Sequence, residues 1–96
     1  MNTIWKYPLE FKERQIVKLP AKHELLCVKD QRGIPALWAL VDPEDHDHVQ
    51  IAICTLTTGN SGFPTDGMMY LGTVLLNEDR LVFHYFAEDL DANYSI

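Results

Sequence analysis

The stretch Val49-Gln50-Ile51-Ala52-Ile53-Cys54-Thr55-Leu56-Thr57 decides the fold of this chain. Its β-branched residues recur at every second position from Val49 to Thr55, and side chains at that spacing share one face of a β-strand. This pattern is typical of a strand that packs one face on a hydrophobic core. We therefore predict a strand over residues 49–57, which needs partner strands elsewhere in the chain.

Two further runs with strand character follow toward the C-terminus. Residues 69–76 and 80–87 are rich in β-branched and aromatic side chains, and the polar turn at 77–79 predicts that they form a hairpin. A long loop over 58–67, which contains several glycines, precedes this hairpin. An acidic tail over 88–96 follows it.

Four predicted strands precede the central run, over residues 4–7, 15–19, 24–30 and 34–41. Gly33 favours a hairpin between the last two strands, because glycine tolerates the positive φ of a tight turn. The last of these runs is almost entirely apolar, as in a strand that is buried on both faces.

Together these patterns predict an all-β protein with a single domain over residues 1–87. Seven short strands separated by turn signals, with no amphipathic helix, are typical of a small antiparallel β-sandwich or a partly open barrel. A chain of 96 residues is long enough for one such domain. Trp5, Tyr7 and Tyr85 lie in the first and last predicted strands, so among the aromatic side chains we expect these three to be partly exposed.

The charge and hydropathy of the chain argue against two classes of partner. Eight Lys and Arg residues against fourteen Asp and Glu residues give a formal net charge of −6. No basic cluster is present to hold a nucleic-acid backbone, so we expect no direct nucleic-acid binding. No apolar run approaches the ~20 residues of a membrane span, and no secretory leader is evident, so we expect a cytoplasmic protein. Cys27 and Cys54 lie in apolar runs, as reduced, buried thiols do.

The sequence contains no recognisable catalytic motif. A nucleophile elbow, a paired-carboxylate pattern and a Cys–His motif are all missing, so we expect a non-enzymatic protein with no catalytic residue and no cofactor. His46 and His48 flank Asp47 and could meet at one metal ion. A structural site normally takes ligands from two separated segments, and no second pair is visible, so no metal site is predicted.

Several motifs in order along the chain point to a family. They are Ile4-Trp5-Lys6-Tyr7-Pro8-Leu9, Leu37-Trp38-Ala39-Leu40-Val41-Asp42-Pro43, Tyr70-Leu71-Gly72-Thr73 and Val82-Phe83-His84-Tyr85-Phe86. These motifs resemble a family of small uncharacterised proteins common in bacteriophage and prophage genomes. The resemblance implies a phage accessory protein in the host cytoplasm that binds and blocks a host defence factor, as anti-CRISPR proteins do.

The first hypothesis is therefore that the protein inhibits a host protein by covering a basic functional surface. Acidic side chains would make the contact, and electrostatic attraction would speed the encounter. The predicted partner-binding residues are Asp42, Glu44, Asp45, Asp47, Glu88, Asp89 and Asp91.

Two alternatives remain open. The protein could be a sponge that sequesters a nucleotide immune signal, with pockets between the subunits of a homo-oligomer. Aromatic rings and cations would then hold the phosphorylated ligand, and the predicted ligand-binding residues are Trp5, Lys6, Tyr7, Arg80 and His84. The protein could also have a structural or assembly role in the virion.

Overall fold

The computed structural model describes residues 1–59, 61 and 65–90 of the chain. Its strands are β1 (Thr3–Pro8), β2 (Arg14–Pro20), β3 (His23–Gln31), β4 (Ile34–Val41), β5 (His48–Thr57), β6 (Met69–Leu76) and β7 (Leu81–Asp89). The described residues form no helix, so the predicted all-β class is confirmed. Each strand begins and ends within two residues of its predicted bounds.

The strands form two antiparallel sheets. One sheet has three strands in the order β1-β4-β3, and the other has four strands in the order β2-β5-β7-β6. Both predicted hairpins, β3–β4 and β6–β7, are present. The two sheets pack face to face and do not close into a barrel, so the sandwich is the correct alternative.

The hydrophobic core lies between the two sheets. Leu37, Ala39 and Val41 of β4 belong to the same buried cluster as Ile51 and Ile53 of β5. Because side chains alternate along a strand, one face of each sheet supplies this cluster and the other face points outward. The β-branched face predicted for residues 49–57 is therefore the inner face of β5.

The two sheets approach each other closely at the margin where β3 and β6 come together. Gly72 of β6 follows a β-bulge and has a φ of +148°. A Cβ atom at this position would lie 2.6 Å from the carbonyl oxygen of Val28 in β3, a distance that real side chains do not tolerate. Glycine at position 72 therefore permits the backbones of the two sheets to approach each other.

The opposite margin carries the edge strands β1 and β2. Each has unpaired backbone groups along its outer side, which is a hazard for aggregation. Lys6 and Pro8 on β1, and Lys18 and Pro20 on β2, oppose strand addition through charge and through the missing N–H of proline.

One prediction about aromatic exposure is wrong. Tyr85 is fully buried, because β7 lies between β5 and β6 although it is the last strand of the chain. Trp5, on the edge strand β1, is 40% exposed, and Tyr7 is half-buried. Strand β7 runs from residue 81 to Asp89, so Arg80 lies in the preceding turn and the strand extends beyond residue 87.

Candidate functional site

The outer face of the three-stranded sheet is centred on Trp38. Leu37, Ala39 and Val41 pack in the core, so Trp38 and Leu40 point away from it. Both outward side chains are only half-buried. The prediction that β4 is buried on both faces is therefore wrong at these two positions, since the strands described here form no third layer over this sheet.

Strand register brings residues that are distant in sequence onto this face. Lys6 of β1 and Cys27 of β3 lie on either side of Trp38. The Lys6 Nζ atom is 5.9 Å from the centre of the Trp38 ring and donates a hydrogen bond of 2.6 Å to Gln31 Oε1. These contacts hold the Lys6 side chain near the ring, whose π face attracts its charge.

We call this surface the Trp38 face. It comprises Ile4, Lys6, Cys27, Ile34, Trp38 and Leu40. Ile4 and Ile34 are 56% and 51% exposed. Exposed aliphatic side chains around an aromatic residue, bordered by polar groups, are typical of a surface that binds another protein.

Sequence reasoning identified Lys6 but missed the other residues of the Trp38 face as site residues. Membership of the face depends on the pairing of β4 with both β1 and β3, and the pairing of β1 is not visible in the sequence. The one available signal was the alternation along β1, which places Ile4 and Lys6 on the same side.

An acidic loop over residues 42–47 begins directly after β4, at one end of the Trp38 face. Asp42 shapes the loop internally. Its Oδ1 atom accepts a hydrogen bond of 3.1 Å from the N–H of Glu44, and its own N–H donates to the carbonyl oxygen of Lys22 at 3.1 Å. The carboxylate of Asp42 therefore has a structural partner in this chain.

Asp45 joins this loop to the connection between β2 and β3. Its carboxylate accepts hydrogen bonds from the N–H of Lys22 at 2.8 Å and from the N–H of Asp47 at 3.0 Å. These two backbone donors lower the pKa of Asp45, because they favour the ionised carboxylate. Asp45, a predicted partner-binding residue, thus has a structural role within this chain.

Glu44 and Asp47 differ from the other acids of the loop. Their side chains are exposed, and they make no hydrogen bond or ion pair with the residues that the structure describes. Glu24, which is paired with Leu40, adds a third exposed carboxylate near the same end of the Trp38 face. This end of the face is therefore acidic and accessible.

The predicted acidic residues of the tail are distributed differently. Glu88 lies in β7, where its carboxylate is 3.7 Å from the guanidinium of Arg14. Asp89 is the last residue of β7 and lies opposite Ile51, near the beginning of β5. Asp91 lies outside the described residues.

The predicted ligand-binding residues fall on two different sheets. Trp5, Lys6 and Tyr7 belong to β1 of the three-stranded sheet, where Lys6 points outward and Tyr7 packs against the core. Arg80 and His84 belong to the β6–β7 hairpin of the four-stranded sheet. One subunit does not gather the five side chains into one pocket, so a nucleotide site built from them stays a prediction that needs a second subunit.

His84 already has partners on the outer face of the four-stranded sheet. Its Nε2 atom is 2.7 Å from the hydroxyl of Thr58, and its Nδ1 atom is 2.9 Å from the hydroxyl of Thr73. The Thr73 hydroxyl is in turn hydrogen-bonded to Tyr70. A phosphate could reach the His84 ring only by displacing one of these hydroxyl groups.

The two cysteines are free and lie on opposite outer faces of the sandwich. Cys27 is half-buried on the Trp38 face. Cys54 is buried beside Arg14 and Glu88 on the four-stranded sheet, and burial raises the pKa of its thiol. No disulfide can join two thiols placed in this way.

The described residues contain neither a cluster of metal-binding side chains nor a membrane-spanning helix. Residues 1–59, 61 and 65–90 hold no group of three or more His, Cys, Asp or Glu side chains that could bind a metal ion. The same ranges contain no helix with the length and hydrophobicity that a membrane crossing requires.

The comparison with known proteins places the chain in a family. Residues 1–94 match a family model described as "Domain of unknown function (DUF7352)". No curated protein and no solved structure matches the chain. Because the family model covers almost the whole sequence, the chain belongs to the DUF7352 family.

Proposed function

We propose that this protein is a non-enzymatic accessory protein that binds a partner protein through the Trp38 face and blocks it by covering a functional surface. The observation that carries the proposal is an outward face on which the exposed Ile4 and Ile34 lie on either side of the half-buried Trp38, with an acidic loop at the Ile4 end. Protein interfaces commonly combine an aromatic and aliphatic centre with a polar rim in this way.

The physical basis for tight binding is Trp38 and the aliphatic side chains around it. A few large residues at the centre of an interface carry most of its binding energy, and tryptophan is among the most common of them. Trp38 is held on the central strand of its sheet, and the Lys6 ammonium lies 5.9 Å from the centre of its ring. A side chain that is already ordered loses little conformational entropy on binding.

The charge of the chain indicates the kind of surface that the partner presents. The net charge is −6, and Glu24, Glu44 and Asp47 are exposed at one end of the Trp38 face. Their carboxylates would attract a basic surface and accelerate association with it. We therefore propose a partner with a basic patch beside an apolar pocket or groove.

The phage origin and the identity of the partner as a host defence factor rest on the motif resemblance. The run Ile4–Leu9 contributes β1, and the run Leu37–Pro43 contributes most of β4 and the start of the acidic loop. Both motifs thus fall on or beside the Trp38 face. This coincidence supports the proposal that the face is what such an accessory protein uses.

A capture experiment with matched variants tests the proposal. The wild-type protein, an Ile4→Glu/Ile34→Glu variant and an Ile16→Glu control are immobilised and exposed to host lysate. Ile16 is similarly exposed, at 46%, but it lies on the edge strand of the other sheet. Captured proteins are identified by mass spectrometry, and the affinity of the purified partner for each variant is then measured.

We expect the double variant to lose about 100-fold in affinity, since two buried charges replace apolar contacts, while the control changes by less than about 3-fold. Circular dichroism verifies that all three proteins are folded. Equal affinity of the partner for the double variant and the wild type would exclude the Trp38 face as the binding surface.

A further inference from the structure

A cavity of about 190 Å³ lies apart from the Trp38 face, beside the inner face of the four-stranded sheet. Its lining residues are Thr55 and Thr57 of β5, Phe83 and Tyr85 of β7, and Phe11, Lys12 and Glu13 of the connection between β1 and β2. The cavity therefore combines a rigid wall, made of two paired strands, with a loop that passes over it.

The loop is anchored on both sides of Phe11. The Gln15 side chain makes two hydrogen bonds with the backbone of Glu10. Its Oε1 atom accepts a bond of 2.9 Å from the Glu10 N–H, and its Nε2 atom donates a bond of 2.8 Å to the Glu10 carbonyl oxygen. The N–H of Thr55 donates to the carbonyl oxygen of Glu13 at 2.9 Å. These bonds keep Phe11 at the mouth of the cavity.

Phe11 is an exposed apolar ring in a charged segment. Its side chain is 63% exposed, yet the centre of its ring is 6.2 Å from the centre of the Phe83 ring, at an angle of 54°. The two rings form one side of the cavity mouth. A planar ring placed beside them would cover apolar surface that now faces solvent.

The wall of the cavity contains two buried hydroxyl groups. Tyr85 is 0% exposed, and among the residues described its hydroxyl and that of Thr55 have no hydrogen-bond partner other than each other. The two residues are directly paired across β5 and β7, so their side chains lie side by side. Burial raises the pKa of Tyr85, which keeps its hydroxyl protonated and able to donate. Two hydroxyl groups that bond only to each other use one of their two hydrogens, so this pair keeps one donor without a partner.

We propose that the cavity binds a small neutral aromatic compound, namely a single ring that carries a hydroxyl or similar hydrogen-bonding substituent. The size fits, because an apolar cavity of ~150 Å³ is large enough for benzene. The ring would lie beside Phe11 and Phe83, and the substituent would pair with the hydroxyl groups of Tyr85 and Thr55 after a local side-chain movement, since neither oxygen is accessible to water in this structure.

The charges at the mouth favour a neutral ligand over an anion. Lys12 is 3.1 Å from the carboxylate of Glu10, so its charge is already compensated. Glu13 adds another carboxylate to the lining. A benzoate-like anion would meet this negative charge, whereas phenol would not.

The test uses phenol, toluene and benzoate as probes in NMR titrations of the full chain. We expect phenol to shift the amide signals of Thr55, Thr57 and Phe83 with saturation, and to bind more tightly than toluene or benzoate. Tyr85→Phe should weaken phenol roughly tenfold, the size of one hydrogen bond, and leave toluene unchanged. Phe11→Ala should weaken the binding of both neutral probes, phenol and toluene.

Three results would overturn the proposal: phenol shifts that do not saturate, shifts located outside the cavity, or an equal preference for phenol and toluene in the wild type. If Tyr85→Phe does not fold, Thr55→Val is the second variant for the same comparison. The cavity and the Trp38 face are independent, so loss of phenol binding in these variants should leave partner capture intact.

Discussion

Asp45 shows at the scale of one residue how a carboxylate can be committed to structure in a loop that looks like a binding site. One of its two backbone hydrogen bonds joins the loop to Lys22, 23 positions away in the chain, and the other comes from Asp47 within the loop. The sequence shows a cluster of acids there, but it cannot show which of them face a backbone N–H. The separation of structural from available carboxylates was therefore not predictable.

The first prediction concerns the pH dependence that Asp45 confers. Its pKa is lowered in the folded state, so its stabilising effect is fully present above the unfolded value of about 3.9 and is lost as the pH falls through the native pKa. Asp45→Ala should therefore lower the urea midpoint at neutral pH, and the deficit should shrink in acid. Urea denaturation at a series of pH values measures both effects.

Glu44→Ala is the matched control, because Glu44 is in the same loop and its side chain has no described partner. Glu44→Ala should have the same urea midpoint as the wild type at every pH. A deficit for Asp45→Ala that stays constant down to strongly acidic pH would contradict the assigned role of its carboxylate.

The second prediction concerns the two thiols. Cys27 is half-buried, whereas Cys54 is buried and its pKa is raised by desolvation, so less of it is present as the reactive thiolate. Iodoacetamide should therefore alkylate Cys27 first, as measured by peptide mass spectrometry over time. Labelling of both cysteines at the same rate in the native protein would show that Cys54 is not protected by the fold.

At the scale of elements, the contact between β3 and β6 depends on Gly72. A methyl group there would collide with the Val28 carbonyl oxygen, and the φ of +148° disfavours any other residue. We predict that Gly72→Ala lowers the free energy of unfolding by about 3 kcal/mol, the combined effect of strain and overpacking. Chemical denaturation gives the value directly.

Gly33→Ala separates the two contributions. Gly33 also has a positive φ, of +85°, but a Cβ atom there would contact nothing within 4 Å. Gly33→Ala should lower the free energy of unfolding by only roughly 1 kcal/mol, through backbone strain alone. Equal losses for the two variants would mean that the close approach of β3 and β6 contributes nothing.

The strands and hairpins could be predicted because their signals are local. Alternation, β-branched residues and turn residues such as Gly33 lie within each element. The pairings of β1 with β4 and of β2 with β5 could not be predicted, since they join residues far apart in sequence. The error at Tyr85 has this origin: its strand is last in the chain but internal in the sheet.

The candidate sites also divide into features that are local in the sequence and features that depend on strand pairing. The acids of the loop 42–47 were visible in the sequence, whereas the Trp38 face and the cavity are assembled from separate strands. Phe11 offered one signal, as an aromatic residue among charged neighbours, but its proximity to Phe83 depends on the fold.

At the scale of the whole molecule, the negative charge should control the rate of partner binding. Reversing Glu44 and Asp47 to Lys should slow association several-fold at low salt, and the difference should shrink at high salt as the charges are screened. Stopped-flow or surface-based kinetics with the captured partner measure the association rate constant at each salt concentration. Asp66→Lys is the control, an exposed acid in a different loop. A rate that is insensitive to salt in the wild type would rule out electrostatic steering.

The most direct test of partner binding through the Trp38 face is hydrogen–deuterium exchange of the protein, free and in complex with its captured partner. We predict that the complex slows exchange in β1 and β4, the strands that carry Ile4, Ile34 and Trp38. Protection confined to β2, β6 and β7, with β1 and β4 unchanged, would contradict the account.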